Sequence, residues 1–463
     1  MLVVGGGAGG VTVAAGAAQL GAATVLVERG TLGGVLDSAC VPTRALIVAA
    51  QRAQAGREAA AFGLGAAESV IDYAAILQRA RAVADALAPR HAEERLAGLG
   101  VRVVRASARF IGERDVAAGE VTIRARRIVI ATGARPALPP LPGLEQVPFR
   151  TEETILDDPV LPQHLLVLGG GPAAVELAQA YRLLGARVSV LAAEPVLARF
   201  DPELVTLLLD HLRAQRITIR ERAPILRVER SGAGIAAILD GEGPIVGSHL
   251  LLATERRPAL DGLDLERAGI AADAQGLVLD RRLRTTNRRV YAVGDAAGSP
   301  ASVALAQHHA GIVLRNALFR WPARVDDRAL PAVVFTMPEL AQVGLAEAAA
   351  PARPGDGLTI LRWPFFDNDR AQLERATRGL VKLVARRDGR VLGAAILGAQ
   401  ASELIPLWAL AIGRGLKLSA VAGMIVPYPT LGAASQQAAA SFSAPRLFSE
   451  RARRLVRLLA RFG

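Results

Sequence analysis

Two kinds of residue in this chain are placed to do chemistry: glycines spaced to cradle a dinucleotide, and one cysteine. The run Gly5-Gly6-Gly7-Ala8-Gly9-Gly10 is followed, 18 residues after Gly10, by the acid Glu28. In that spacing Gly5 permits a tight turn, Gly7 lets the backbone approach a pyrophosphate, and Gly10 lets a helix pack on a strand. A helix starting there turns free N–H groups and its positive dipole end toward phosphate. Glu28 is placed to accept hydrogen bonds from a ribose. The spacing recurs at Gly169, Gly171 and Ala174. The second copy lacks the terminal acid: its strand runs out on Ala192, then Ala193 and Glu194, with Arg199 nearby, so NADH against NADPH stays open. Cys40, in GGVLDSACVPTRAL, is the only cysteine of 463 residues, so no intramolecular disulfide can form.

The elements around these residues fit the chemistry. A short apolar strand at Leu2 to Val4 precedes the first glycine run, an alanine-rich helix pattern follows, and a second apolar strand spans Ala23 to Val27. Around the second run the strands are Leu165 to Leu168 and Arg187 to Leu191. Two βαβ units predict two dinucleotides, one tightly held and one exchanging. The chain begins almost on its first strand, and we expect a few residues upstream of it.

Composition narrows the class. At 463 residues, two or three domains are expected, and one cysteine excludes a disulfide framework or cysteine-built metal site. The six histidines form no ligand pattern with carboxylates, so no metal is expected. Net charge is +12, carried by arginines dispersed along the sequence, with Lys382 and Lys417 the only lysines. Dispersed arginines and 4% aromatic content argue against nucleic-acid binding. The uncharged first 27 residues hold seven glycines and no basic n-region, so neither a membrane span nor a signal peptide is expected. A cytoplasmic protein is expected.

Taken in order, these motifs resemble the pyridine nucleotide-disulfide oxidoreductases, FAD flavoenzymes that include dihydrolipoamide dehydrogenase, glutathione reductase and mercuric reductase. GGVLDSACVPTRAL resembles the redox segment, with Gly34 in its opening glycine pair. IVIATGARPALPPLPG resembles the ATG segment, with Thr132 and Gly133. TTNRRVYAVGDAAG resembles the second FAD-contacting segment, with Gly294 and Asp295. VVFTMPELAQVGL, DNDRAQLERATRGLVKLV and ILGAQASELI resemble the dimerisation domain, and YPTLGAASQQAA the terminal active-site segment.

The resemblance implies an α/β fold with two Rossmann-like doubly wound dinucleotide-binding domains plus a C-terminal α+β dimerisation domain, assembled as a homodimer. The expected boundaries are 1–147 with 256–328 for FAD, 148–255 for NAD(P), 329–444 for the interface, and 445–463 as a basic amphipathic helix. It implies FAD and NAD(P)H as cofactors, with Asp295 on the ribityl chain. Arg44 and Glu176 stand where the family pairs a lysine with a glutamate near flavin N5, and Cys40 of one subunit lies near Tyr428 of the partner subunit. We favour an Arg44–Glu176 pair, since Glu176 would otherwise be buried unpaired beside the flavin.

The family pattern breaks at three places. The segment from Gly34 to Cys40 is one residue short and lacks the first cysteine of the redox pair. The C-terminal histidine–glutamate dyad is replaced by Tyr428 and Ala433. Glu255 in LLATERRPAL stands where glycine is usual, and a bulky residue there is expected to disturb a tight backbone. Mercuric reductase also needs a second cysteine pair, which is absent. Three readings remain. An FAD-dependent NAD(P)H oxidoreductase passes electrons to a non-dithiol small molecule, such as a quinone or oxygen, past a redundant Cys40. Alternatively Cys40 works alone through sulfenic acid or a mixed disulfide, or the chain is a degenerate FAD-binding homologue. The tail PRLFSERARRLVRLLARFG, with Phe448, Leu455, Leu459 and Phe462 interleaved with Arg451, Arg453, Arg454, Arg457 and Arg461, adds peripheral membrane contact as an option beside packing on its own dimer.

Overall fold

The computed structural model describes residues 1–34, 40–65, 70–241, 243–273, 275–298, 302–349 and 357–462. They fall into two compact units. The first comprises Met1–Gly169, Leu183–Arg187 and Pro224–Val325; the second comprises Gly170–Arg182, Val188–Ala223 and Asp326–Gly463.

In the first unit a parallel sheet runs in the order Val290–Ala292, Ile128–Ile130, Leu2–Val4, Thr24–Glu28, Val101–Arg105. Its central strand, Leu-Val-Val, is buried on both faces, so it shows no polar alternation. The second strand sits one residue later than expected and takes Glu28 into the sheet. The helix Ala8–Gln19 is built from small residues because it packs closely on Val303–Leu318: a Cβ at Gly16 would lie 2.6 Å from Leu314 Cδ1. A second parallel set, His164–Leu168, His249–Leu252 and Arg150–Thr151, follows the same logic. Ala134–Pro136 and Arg256–Pro258 form an antiparallel ribbon.

The second unit carries the helix body after the second glycine run, within Pro172–Leu183, and the parallel pair Ser189–Leu191 with Thr218–Arg220. Its larger part is an antiparallel sheet in the order Pro331–Val334, Glu339–Gly344, Val391–Gly398, Leu380–Arg386, Leu358–Pro364. The helices Ala401–Gly413 and Gly432–Ser441 bury Ile405, Trp408, Ala434 and Ala438 in one core with that sheet. Trp408 is fully buried, and its indole N–H donates to Ser435 Oγ at 3.2 Å.

One polar cluster interrupts this apolar unit. Lys382 is 3% exposed. Its ammonium lies 2.8 Å from Asp201, 2.8 Å from Glu203 and 2.6 Å from Glu347. Asp201 also caps the helix Pro202–Ala214, accepting from the N–H groups of Glu203 and Leu204. Arg362 braces the group by donating to both oxygens of Glu203 and to Glu347.

The tail is not one helix. It consists of a turn at Ala444–Leu447 and a helix at Glu450–Leu459, separated because Ser449 caps the second by accepting from Ala452 N–H. Phe448 and Phe462 therefore fall outside the helix. Its apolar residues are exposed, Leu455 at 55% and Leu459 at 58%. Among the described residues no helix is long and apolar enough to cross a membrane.

Candidate functional site

The glycine run sits at the carboxyl end of the Leu2–Val4 strand, where a parallel sheet opens its ligand crevice. Gly5 has φ of 105°, and a Cβ there would stand 2.3 Å from the carbonyl oxygen of Ala131. Gly10 is as tightly held: its Cβ would be 1.9 Å from Gly5 O. Gly7, by contrast, caps the Ala8–Gln19 helix with open space beside it, where a phosphate can approach. Gly34 comes back over this turn, its Cβ position 3.8 Å from Gly7 Cα. Glu28 accepts from Gly6 N–H at 2.6 Å and from Gly30 N–H at 2.7 Å, which fixes its carboxylate at the end of its strand.

The neighbouring strand ends bring in the other expected residues. Ile128–Ile130 leads into Thr132 and Gly133, and Val290–Ala292 into Gly294 and Asp295. Thr132 Oγ1 is buried and has no hydrogen-bond partner among the described residues. Gly294 N–H donates to His309 Nδ1 at 3.3 Å. Burial pushes the Asp295 carboxyl above its ordinary range, against the opposing pull of the Arg256 guanidinium and backbone N–H groups. Arg256, half-buried, donates to Glu152, to Glu153 and to Ala134 O. Sequence reasoning passed over Arg256. Its acidic partners lie 103 and 104 residues away, so no spacing announces them. The adjacent Glu255 corrects an expectation: it is not among the left-handed residues and is exposed, so the backbone there does not need glycine.

Cys40 is the first residue of the helix Cys40–Glu58, and Thr43 Oγ1 donates to its carbonyl. Arg44 follows on the same helix and is half-buried. The segment Val35 to Ala39, where the first redox cysteine is missing, lies outside the described residues.

Gly169 ends the His164–Leu168 strand with φ of 133°, and a Cβ there would be 2.2 Å from Ala253 O. Gly171 opens the following helix with free space beside it, and Ala174 is fully buried. Glu176, 8% exposed, accepts from Phe335 N–H at 2.8 Å. That bond corrects the premise that Glu176 would otherwise sit unpaired: it has a donor within its own unit. Tyr428 is 80% exposed, and its hydroxyl donates to Asp369 Oδ2 at 2.9 Å. The Asp369 carboxylate holds the phenol proton on, so the Tyr428 pKa is raised. Asp369 was not singled out in the sequence, because its partner is 59 residues away. Among the described residues no group of three or more His, Cys, Asp or Glu side chains is set to hold a metal ion.

The glycine cradle at a parallel sheet's carboxyl edge, its repeat at Gly169, and the antiparallel C-terminal sheet define an oxidoreductase of the two-dinucleotide class. The family model for pyridine nucleotide-disulphide oxidoreductases matches residues 1–310, and that for their dimerisation domain matches 330–439. The chain belongs to this family of FAD- and NAD(P)H-using oxidoreductases, and its dimerisation domain indicates a homodimer. It is 36% identical to a mercuric reductase of Streptomyces lividans, covering 96% of each chain. It is 33% identical to a dihydrolipoyl dehydrogenase of Geobacillus stearothermophilus, covering 95% of each. Among solved structures it is similar to LpdA from Mycobacterium tuberculosis, with TM-score 0.87, 27% identity and coverage of 95% of this chain and 99% of that one. It is similar also to the HOCl-induced flavoprotein disulfide reductase RclA from Escherichia coli, with TM-score 0.86, 27% identity and the same coverage. The residues present fit FAD. Gly7 leaves room for its pyrophosphate, the Ala8–Gln19 helix end offers N–H donors, and Thr132 Oγ1 has unmet hydrogen-bonding capacity.

Proposed function

We propose that this flavoprotein is an NAD(P)H oxidoreductase whose acceptor is a small molecule other than a dithiol. The observation that carries this reading is the single cysteine: Cys40 has no second thiol in the chain with which to relay electrons. FAD, when bound, supplies hydride acceptance from NAD(P)H and delivery of the electron pair to a quinone, oxygen or similar acceptor. Gly5, Gly7, Gly10, Gly34, Thr132, Gly133, Gly294 and Asp295 hold it, and Glu28 takes the ribose hydroxyls. Gly169, Gly171 and Ala174 let the nicotinamide nucleotide approach the second backbone turn. Arg44 and Glu176 stand at the positions where the family places its charged residues near flavin N5, and Glu176 is steadied by Phe335 N–H. Tyr428 faces the acceptor of the partner subunit's site and donates a hydrogen bond or a proton. With its proton held on by Asp369, it is no general base at neutral pH. The substrate named for the mercuric reductases does not carry over, because Hg(II) demands soft thiolate ligands and this chain holds one.

Anaerobic titration with NADH and then NADPH, followed through the flavin absorbance, tests this directly. One nicotinamide bleaches the flavin, and a quinone restores the colour where lipoamide and glutathione disulfide do not. In Cys40→Ser the quinone-reductase kcat/KM stays within about threefold of the parent. A hundredfold loss in that variant would transfer the chemistry to Cys40, and a flavin that neither nicotinamide bleaches would make the chain a degenerate homologue.

The tail carries a finer reading of the same protein. The exposed apolar residues and arginines of Glu450–Leu459 suit an anionic lipid surface, which would bring the enzyme to a quinone. The full chain is expected to co-sediment with phosphatidylserine vesicles, and a chain ending at Ala444 to stay in the supernatant. Equal sedimentation of the two would remove the tail from membrane binding.

A further inference from the structure

The arginines that are dispersed in sequence converge in space. A cavity of about 410 Å³ in the first unit is lined by Arg127, Arg282, Arg284, Arg288, Arg289 and Arg320, with no acidic residue in its wall. It does not belong to the site described above. Arg127 and Arg289 immediately precede the strands Ile128–Ile130 and Val290–Ala292. They therefore mark the amino end of two strands whose carboxyl ends carry Thr132 and Asp295.

The charge in this cavity is largely uncompensated. Arg284 is held by Asp280 through two bonds of 2.8 and 2.6 Å, and the other oxygen of Asp280 accepts from backbone N–H groups. Among the described residues no carboxylate pairs with Arg127, Arg282, Arg288, Arg289 or Arg320, and the Nε of Arg127 is buried without a hydrogen-bond partner. The backbone that carries these arginines is pinned by two asparagines. The amide of Asn287 donates to Glu113 O and Ala268 O, and Asn287 Oδ1 accepts from Arg289 N–H. The amide of Asn316 donates to Arg282 O and Ala323 O. Tyr291, 3% exposed, forms part of the wall. Guanidinium groups carried close together on this backbone repel one another and bind phosphate oxygens bidentately, so a multiply charged anion relieves the repulsion. The cavity size suits a small ligand, and the sparse aromatic wall offers little stacking for nucleobases of a strand.

We propose that this cavity binds a small anion with two or more linked phosphate groups, either inorganic polyphosphate or the phosphate tail of a nucleotide. Calorimetric titration of the FAD-loaded enzyme with inorganic tripolyphosphate is the test, with orthophosphate and ATP as separate arms. Tripolyphosphate is expected to bind saturably and to weaken as salt rises. Arg288→Ala/Arg320→Gly should weaken it by about tenfold or more, as loss of charged hydrogen-bond partners does. Both side chains are exposed, and Arg320 has φ of 54°, where glycine is at ease, so the variant keeps its fold and its flavin. ATP binding tighter than tripolyphosphate, with the excess also lost in the variant, identifies the nucleotide source; equal affinity identifies the inorganic one. Absence of saturable binding, orthophosphate binding as tight as tripolyphosphate, or affinity unchanged in the variant would overturn the proposal. So would a single-stranded oligonucleotide that binds more tightly than tripolyphosphate and loses that affinity in the same variant.

Discussion

Gly169→Ala should yield a protein that is still yellow but that neither NADH nor NADPH bleaches at the parent rate. At φ of 133° an L-residue is strained, and its Cβ would sit 2.2 Å from the Ala253 carbonyl oxygen, a backbone atom that cannot swing aside. Backbone strain of about 1–2 kcal/mol adds to overpacking of about 1–3 kcal/mol. The strand end must shift to relieve both. Because Gly171 follows at once, the N–H groups proposed to receive the nucleotide shift with it. A loss of about 3 kcal/mol in transition-state binding corresponds to about a hundredfold fall in kcat/KM for the nicotinamide. Gly5→Ala supplies the mirror case. Its φ is 105° and its Cβ would stand 2.3 Å from Ala131 O, so that variant should purify with little or no flavin. Stopped-flow flavin reduction and the absorbance ratio of purified protein read the two separately. A Gly169→Ala enzyme reduced at the normal rate would show that this turn does not receive the nicotinamide nucleotide.

How much of this was legible depended on how local each feature is. The two glycine turns were read from sequence because their demands fall within ten residues: turn, approach and helix packing all concern one strand and the helix after it. The C-terminal sheet was recognised through resemblance of whole segments, since its apolar strands, such as Val391–Gly398 with burial on both faces, carry no alternation. The gathering of charge in space was not legible, for the opposite reason. The arginine cavity draws on residues 127, 282–289 and 320, and only folding brings those stretches together. Arg256 escaped notice likewise, while its neighbour Glu255 attracted attention through a family pattern that the observed backbone does not require.

The similarity to mercuric reductases and dihydrolipoyl dehydrogenases sharpens the functional question. An identity of 36% across 96% of the chain goes with the family's fold. The residues that chemistry consumes are a handful, and they change independently of that scaffold. Here the second thiol is absent and Tyr428, bonded to Asp369, stands where the C-terminal histidine is expected, while Glu176 is buried and accepts from Phe335 N–H. Under the proposed function, the groups present bind and orient nucleotides or donate protons. The missing ones handle a dithiol.

Lys382→Met should cost the protein about 3 kcal/mol of stability at neutral pH, chiefly the penalty of stranding the buried Asp201 carboxylate, since Glu203 and Glu347 are part-exposed. Lys382 is one of only two lysines in an arginine-rich chain. It is 3% exposed, and its compact ammonium reaches Asp201, Glu203 and Glu347 together. Methionine fills similar volume but leaves the carboxylates with only Arg362 and backbone N–H groups. Lys417→Met, at an exposed position, is the control and should change stability by less than about 0.5 kcal/mol. The pH dependence separates charge from packing. Glu203 is lowered to about 2, first by its hydrogen bond to Arg362 and then, against burial, by Lys382. Glu347 is lowered too, chiefly by its hydrogen bond to Lys382. Depressed carboxyl pKa values stabilise the fold above the unfolded value of 4.5, and that contribution fades as pH falls toward about 2. Removing the ammonium returns Glu347 toward 4.5 and takes from Glu203 the share of its shift that Lys382 supplies, Arg362 keeping the rest, so the variant lacks part of the contribution that the parent loses in acid. Urea midpoints of parent and variant should therefore lie furthest apart above pH 4.5 and converge below it. A gap that stays constant across that range would mean that Lys382 acts by filling space, and that its three carboxylates are held by the rest of the cluster.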